Sequence, residues 1–340
     1  MSVAPEKMLE GRWLRGWRSF LAWFDTGSDP IAAGAQEDGV DWARIVPFVG
    51  MHLACLMVIW VGVSPTAVFA AVFSYLVRMF AITGFYHRYF SHRSFKTSRL
   101  AQFMFALLGA TAVQRGPMWW AAHHRHHHAF SDRPEDPHSP SQHGFIRAHI
   151  GWFLINKGFN PDMSRVRDLQ RFPELRWLDR FDILAPIAYA VGFFMLGSVL
   201  AHRAPGLHTS GAQLLTWGFF ISTVLCYHGT YTINSLCHVF GKQRYKTGDD
   251  SRNNWLLALI TLGEGWHNNH HHYPVSTRQG FYWWEIDVTY YLLRMLSMVG
   301  IIWDLKAVPA HVRAAHSRQG AQQNTQTEAQ PCLLGSEQPQ

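Results

Sequence analysis

The stretch WWAAHHRHHHAFSD, from Trp119 to Asp132, contains five histidines within six consecutive residues. Histidine-rich tracts bind metals without selectivity, so this composition alone does not separate a sticky tract from one wall of an active site. In an α-helix, His124, His127 and His128 stand at positions i, i+3 and i+4 and therefore share one face. His126 points about 200° away from His124. The spacing predicts three ligands for one site, with His126 outside it.

The same triplet returns in GEGWHNNHHHYP, residues 263–274, where His267, His270 and His271 have the spacing H-x-x-H-H. Of the 21 histidines in the chain, 18 lie between positions 87 and 272. Two identical triplets in distant parts of one chain are difficult to ascribe to composition. We therefore expect both triplets to face the same site.

Two shorter pieces complete this set of ligands. YHRYFSHRSF contains His87 and His92, which lie about 140° apart on an ideal helix, so the helix must end or bend between them if both bind one site. NSLCH contains Asn234 and His238 at i and i+4, on one helical face. The nine histidines exceed twice the four ligands of a tetrahedral zinc and fit two metals of higher coordination with positions left for oxygen or solvent. Imidazole suits iron, zinc, copper and nickel, so ligand type alone does not name the metal.

A carboxylate-bridged arrangement is the rival dinuclear scheme, because Glu-x-x-His occurs at Glu135/His138 and at Glu264/His267. Pro134 and Pro137 argue against it, since they break any helix around the first pair. Three acidic residues are instead candidates to orient ligand imidazoles, with exposed loop positions as the alternative. They are Asp136, Asp249 and Glu264.

The composition is that of a membrane protein, with 16% charged and 48% hydrophobic residues in 340. Four stretches approach the ~20 apolar residues that a spanning helix needs. They are Ile45–Val63, Pro65–Phe85, Ile183–Ala201 and Ala212–Ile233. A fifth stretch, Leu100–Val113, is too short to span and suits a buried, re-entrant or interfacial helix.

The distribution of Lys and Arg predicts the orientation of these spans. Segment 86–180 carries 14 of the 30, and both termini carry more than the hairpin between the third and fourth spans. By the positive-inside rule, both termini and segment 86–180 are cytoplasmic. We therefore predict an all-α integral membrane protein with four transmembrane helices and a cytoplasmic helical cap that carries the metal site. Residues 1–43 would form a cytoplasmic or interfacial segment without a cleaved signal peptide, 44–312 the membrane domain, and 313–340 a disordered tail.

Four motifs resemble those of the membrane fatty-acyl desaturases, closest to the Δ9 acyl-CoA type and its bacterial branch. They are H-R-x-x-x-H (87–92), H-R-x-H-H (124–128), N-S-x-x-H (234–238) and G-E-G-x-H-N-x-H-H (263–271). The resemblance covers roughly residues 40–300. It implies two non-haem iron ions with O₂ as co-substrate, bound by His87, His92, His124, His127, His128, His238, His267, His270 and His271. It also implies that Asn234 approaches a metal through water.

This resemblance implies that a cis double bond, at Δ9, is introduced into a saturated acyl chain, with no separate protein acid or base. The chain lacks a flavin or nicotinamide fingerprint, so an external electron carrier of the ferredoxin or cytochrome b5 type is expected. Segment 86–180 has 14 Lys and Arg against seven Asp and Glu, which suits an acidic carrier or anionic lipid. The expected location is the bacterial inner membrane, with the active site in the cytoplasm and no nucleic-acid partner.

The sequence leaves the acyl carrier open between CoA and a membrane phospholipid. The animal acyl-CoA enzymes have R-D-H before the second box, where this chain has Ala122-His123-His124, and an Arg-Lys pair where it has Asn156-Lys157. Loss of such cationic partners for phosphate argues against CoA. Hydroxylation by the same type of centre is the nearest alternative reaction. A metal transporter is the alternative outside enzymology, but transporters place their ionisable ligands inside the spans.

Overall fold

The computed structural model of the chain describes residues 21, 24–26, 39–40, 42–155, 158 and 161–315. The described part is mostly helical, with turns and loops between the helices, one antiparallel strand pair and isolated bridges. Most of the expected interfacial segment 1–43, most of the tail 313–340 and the pair Asn156-Lys157 lie outside the described residues.

The first half of the chain forms two apolar helical hairpin arms and the helices that follow them. Helix α1 (Trp42–Ala54) continues through a 3₁₀ turn (Cys55–Met57) into α2 (Val58–Val61). Helix α3 (Pro65–Phe80) begins with Pro65 in its first turn, and the Ser64 hydroxyl accepts a hydrogen bond from the amide of Ala67. Helix α3 then runs directly into a π-helix, π1 (Ala81–Ser91).

The π-helix resolves the angular problem of the first histidine pair. Its hydrogen bonds join residues five apart, so positions i and i+5 come to lie on successive turns rather than on different faces. The amide of His92 donates to the carbonyl of His87 at 3.3 Å, and the helix ends at Ser91. The expected end or bend between the two histidines is thus a change of helical winding followed by termination.

The cap is assembled from short helices around α4 (Arg99–Ala110) and α5 (Pro117–Phe130). Gly109 of α4 allows the Tyr86 ring to approach, because a Cβ at this position would lie 2.1 Å from it. The elements up to residue 180 are α6 (Pro140–His143), π2 (Arg147–Gly151), 3₁₀ turns Trp152–Leu154 and Met163–Val166, α7 (Arg167–Gln170) and α8 (Pro173–Arg180).

The remaining elements return through the apolar region and complete the cap. They are α9 (Leu184–Arg203), a 3₁₀ turn (Pro205–Leu207), α10 (Gly211–Leu214), π3 (Leu215–Ile221), α11 (Ser222–Ser235), a 3₁₀ turn (Leu236–His238), α12 (Trp255–Ile260), α13 (His267–His272), α14 (Val288–Met298) and α15 (Ala310–Arg313). Strands β1 (Lys96–Thr97) and β2 (Ile302–Trp303) pair antiparallel and join the beginning of the cap to its end.

Two of the described helices are long and apolar enough to cross a membrane, Pro65–Ser91 and Leu184–Arg203. Ile45–Val61 is a shorter apolar helix, and the predicted fourth span is divided into α10, π3 and α11. Leu100–Val113, expected to be too short to span, coincides with the 12-residue helix α4. Large apolar side chains such as Phe69 and Val72 are exposed on α3, as expected for contact with lipid.

Candidate metal centre

The nine histidines predicted as ligands come together in two adjacent groups. Within each group, one ring nitrogen or other ligand atom of every member lies within 4.8 Å of those of all the others. The first group consists of His87, His92, His124, His128 and His270. The second consists of His127, His238, His267 and His271. The ring centroids of His128 and His271 are 4.5 Å apart, so the groups share a boundary.

Two short helices supply six of the nine side chains because of their spacing. Helix α5 places His124 and His128 in the five-histidine group and His127 in the four-histidine group. Helix α13 divides its triplet in the same way, with His270 in the first group and His271 in the second. Each i, i+3, i+4 triplet therefore serves two neighbouring positions rather than one.

The donor set fits a pair of metal ions. The Nε2 atoms of His92 and His124 are 2.8 Å apart, and those of His87 and His270 are 3.0 Å apart. Burial and neighbouring imidazoles hold the pKa of His92, His124, His128, His267 and His270 well below the ordinary value for histidine. The rings are therefore neutral, as metal binding requires. In addition, Nε2 of His271 is buried and has no hydrogen-bond partner, which leaves its lone pair for a cation.

Carboxylates fix the orientation of ligand rings in the four-histidine group. His127 donates through Nδ1 to Asp136 at 2.9 Å, and His238 donates through Nδ1 to Asp132 at 2.7 Å. Burial, the largest single effect, raises the pKa of Asp132, but the contacts with His238, Ser139 and the amide of Asp250 together outweigh burial and lower the pKa to about 2. Both carboxylates are thus ionised at neutral pH, and each directs the Nε2 lone pair of its histidine toward the centre.

The same contact recurs at two further ligands. His271 donates through Nδ1 to Asp249 at 2.8 Å, and His87 is paired through Nδ1 with Glu264. Glu264 is itself held by the buried guanidinium of Arg88 at 3.0 Å. Burial raises the pKa of Glu264, but His87 and Arg88 outweigh burial and lower it. All three acids named from the sequence therefore contact candidate ligands.

Sequence reasoning missed two residues of this outer layer. Asp132 is the last residue of the histidine-rich stretch, but its partner His238 lies 106 residues away, so no local spacing reveals the pair. Arg88 follows the first histidine directly and donates to Glu264, to Asp287 and to a backbone carbonyl while fully buried. An arginine beside a ligand histidine in an apolar stretch was the available signal.

Other histidines near the motifs have different contacts. His126 bonds the carbonyl of Glu135 on the outer side of α5, as its predicted direction requires. His272 stacks on the ring of Tyr245 with centroids 4.0 Å apart. His138, a member of the first Glu-x-x-His pair, has its Nδ1 atom 3.5 Å from Asp136.

A separate row of three histidines runs beside the centre. His52 and His228 face each other through Nε2 at 3.3 Å, and His228 bonds His149 at 3.0 Å. His149 reaches the hydroxyl of Ser235 at 2.9 Å. None of these three belongs to either metal group in the described part of the chain.

A cavity of about 460 Å³ leads from the centre into the apolar region. His124 and Asn234 line it at the metal end, and Trp120 and Tyr227 belong to its wall. Side chains from α1, α9 and π3 complete the lining, among them Phe48, Ile187 and Phe219. The cavity therefore offers a largely apolar path that begins at the candidate ligand His124.

Comparison with known proteins identifies the family. The sequence model of fatty acid desaturases matches residues 60–299. An acyl-CoA 5-desaturase of Anemone leveillei is 35% identical over 300 residues, which are 87% of this chain and 88% of that protein. An sn-1 stearoyl-lipid 9-desaturase of Anabaena variabilis is 35% identical over 277 residues, 81% of this chain and 97% of the relative. The Delta-9 acyl-lipid desaturase 1 of Arabidopsis thaliana is 36% identical over 260 residues, 75% and 80% of the two chains.

Proposed function

The chain belongs to the fatty acid desaturase family, and from that premise we propose that it introduces a cis double bond at Δ9 of a saturated acyl chain. The single observation that carries the proposal is the contact between the paired histidine groups and an apolar cavity, which is made by the candidate ligand His124. That arrangement suits oxidation of an unactivated CH₂ group, because the middle of an acyl chain has no polar group that a protein side chain could bind or activate.

The five-histidine group would hold one iron ion and the four-histidine group the other, with Asn234 near a metal through water. When bound, these ions supply the oxidising power with which O₂ removes two hydrogens from neighbouring carbons. Asp132, Asp136, Asp249 and Glu264 keep Nδ1 protonated on their histidine partners, so that Nε2 remains a metal ligand. No side chain has to act as a separate acid or base.

The cavity wall would position the acyl chain and keep water away from it. Trp120 stacks on His124 with ring centroids 5.1 Å apart, so an apolar surface meets the ligand shell directly. Gln114 donates to the hydroxyl of Thr230 at 3.0 Å, which satisfies both polar groups inside the wall. Holding the reacting carbons in one place is the contribution expected of the protein.

The acyl carrier is CoA or a membrane lipid, and one observation favours the lipid. At the position where CoA-dependent relatives were expected to carry an arginine, Ala122 is buried, and so is its neighbour His123. Burial, the largest cause, together with nearby cationic groups lowers the pKa of His123 to about 3. The neutral ring offers no charge to a CoA phosphate. Relatives named as acting on acyl-CoA and on acyl-lipids are equally similar in sequence.

We further propose four spans formed by α1–α2, α3–π1, α9 and α10–π3–α11, within a membrane domain of residues 44–312. The apolar lengths of these helices and the charge of segment 86–180 support cytoplasmic termini and a cytoplasmic cap. Electrons would come from an external carrier of the ferredoxin or cytochrome b5 type. The bacterial inner membrane is the proposed location.

The test uses membranes from cells that express the protein, supplied with reductant and with labelled stearoyl groups on CoA or on phospholipid. Gas chromatography with mass spectrometry should detect a cis Δ9 product, and the lipid arm should give more of it. His127→Ala should abolish the product, whereas His126→Ala should retain it, since His126 contacts only the outer side of α5. A hydroxylated product would replace the proposal with hydroxylation, and activity in His127→Ala would remove the assignment of the ligands.

A further inference from the structure

A fully buried arginine lies within the first long apolar helix, away from the metal groups. Arg78 of α3 has no exposed surface. A charged side chain inside a membrane span is costly and usually marks a functional position. The histidine centre makes no use of it, so its role has to be sought in its own contacts.

The five N–H groups of Arg78 are all matched by neutral oxygens. Its Nε donates to the carbonyl of Ser74 and one terminal nitrogen to the carbonyl of Thr111, both at 3.3 Å. The hydroxyls of Thr223 and Ser222 accept from the two terminal nitrogens. The carbonyl of Phe219 accepts the fifth bond at 3.5 Å. The guanidinium thus ties α3 to the end of α4 and to the last predicted span.

The contacts in the last span fall where its winding changes. Ser222 is the first residue of α11, directly after π3 (Leu215–Ile221). Such junctions interrupt the regular backbone hydrogen bonds, which hydrocarbon tolerates poorly. The Ser222 hydroxyl also donates to the carbonyl of Gly218 at 2.6 Å. Arg78 therefore holds an irregular piece of backbone in one conformation.

Phe219, which belongs to that piece of backbone, is buried and lines the cavity. On this span the lining residues run from Asn234 at the metal end to Phe219, a separation on the order of 20 Å along a helix. The Arg78 guanidinium lies 5.9 Å from the centre of the Phe219 ring and 5.3 Å from that of Tyr189. Tyr189 belongs to α9, and the next residue of that helix, Ala190, lines the cavity.

We propose that Arg78 is a positioning residue that fixes Phe219 at the closed end of the cavity and thereby limits the length of acyl chain that the protein accepts. This inference rests on the proposed function, since it assumes that the acyl chain occupies the cavity. Without the guanidinium, the Phe219 ring is free to turn and the end of the cavity moves outward. Longer chains then gain room while the metal end is unchanged.

The experiment measures binding and turnover across saturated chains that differ by two carbons. Palmitic, stearic and arachidic acids are titrated into purified protein, and the products from the corresponding acyl lipids are quantified. Arg78→Met and Phe219→Ala should each raise the ratio of activity on the longer chain to activity on the shorter chain by about fivefold or more. For comparison, one methylene in an apolar pocket changes such a ratio roughly tenfold. Val72→Ala, on the exposed side of the same helix, should leave the preference unchanged.

The thermal unfolding midpoint and the yield in membranes serve as controls for correct folding of each variant. Where Arg78→Met yields no folded protein, Ser222→Ala and Thr223→Val remove one acceptor each and should shift the preference in the same direction. Folded variants that keep the wild-type chain-length preference overturn the inference and leave Arg78 with a structural role only. Wild-type protein that binds fatty acids without forming a double bond contradicts the proposed function instead, and the binding ratios still decide the role of Arg78.

Discussion

Replacement of Asp132 tests whether the outer carboxylates tune the proposed metal centre. Asp132 accepts from His238 and from the amide of Asp250 through Oδ2, and from Ser139 through Oδ1. An asparagine oxygen can keep the contact with His238, so Asp132→Asn removes charge but retains geometry. Asp132→Ala removes both. Loss of such a partner usually reduces metal affinity tenfold to a hundredfold, or about 1.4 to 2.8 kcal/mol.

We expect Asp132→Asn to lie near the lower limit of that range and Asp132→Ala near the upper one. The assay dialyses purified protein against graded chelator and measures iron per chain, with desaturation followed in parallel. Asp162→Asn is the matched control, since this exposed cap residue contacts Ser164 and Arg165 rather than a histidine. Wild-type retention of iron in Asp132→Ala would refute the role assigned to the carboxylate.

Three further predictions concern the cap. His127→Ala should lose about half of the bound iron or more while His126→Ala binds the wild-type amount, as metal analysis would show; equal loss in both would contradict the assigned face. Arg88→Met leaves two buried carboxylates without their cation and should reduce stability by about 3–5 kcal/mol, whereas Arg99→Met, at an exposed pair, should leave the unfolding midpoint nearly unchanged. Burial raises the pKa of the Asp179 carboxyl from 3.8 to about 6, so the folded state binds the carboxyl proton more tightly than the unfolded state does. The free energy of unfolding should therefore fall as the pH rises from about 4 to 6. Asp179→Asn should lose this pH dependence, and a variant with the wild-type pH profile would contradict the assignment.

The sequence was sufficient to group the histidines of each triplet because helical spacing is local. His124, His127 and His128 can be placed on one face from a 3.6-residue period alone, and the same holds for the second triplet. The period does not tell which member goes to which metal. In the structure the triplet divides, with His127 in one group and its neighbours in the other. That division depends on the packing of α5 against α13, which no local pattern contains.

The π-helical winding of π1 could not be predicted from the 3.6-residue period. On an ideal α-helix His87 and His92 diverge, and the sequence predicted only that the helix ends or bends. The structure uses π-winding through Ala81–Ser91. Similarly, the predicted span Ala212–Ile233 is one apolar run in the sequence but three helical pieces in the structure. Apolar composition determines where a helix lies in a membrane protein, but not how tightly it is wound.

Contacts between distant segments account for the other differences. Asp132 and His238 lie 106 residues apart, and Arg78 and Thr223 lie 145 apart. Each pair joins polar groups in two distant segments, and many such pairs are compatible with the same hydropathy pattern. Asp136 was easier to identify because it is only nine residues from His127.

The two histidine groups differ in a way that the ligand count hides. Among the described residues, the five-histidine group has one carboxylate contact at Nδ1, from Glu264, and that carboxylate is shared with the cation of Arg88. The four-histidine group has three, from Asp132, Asp136 and Asp249. Ionised acceptors at Nδ1 make imidazole a more basic ligand and stabilise positive charge at the metal position. The four-histidine group thus has the more basic imidazole ligands, and its carboxylates offset its smaller number of donors. Two iron ions, one bound in each group, would therefore differ in their preference for the oxidised state.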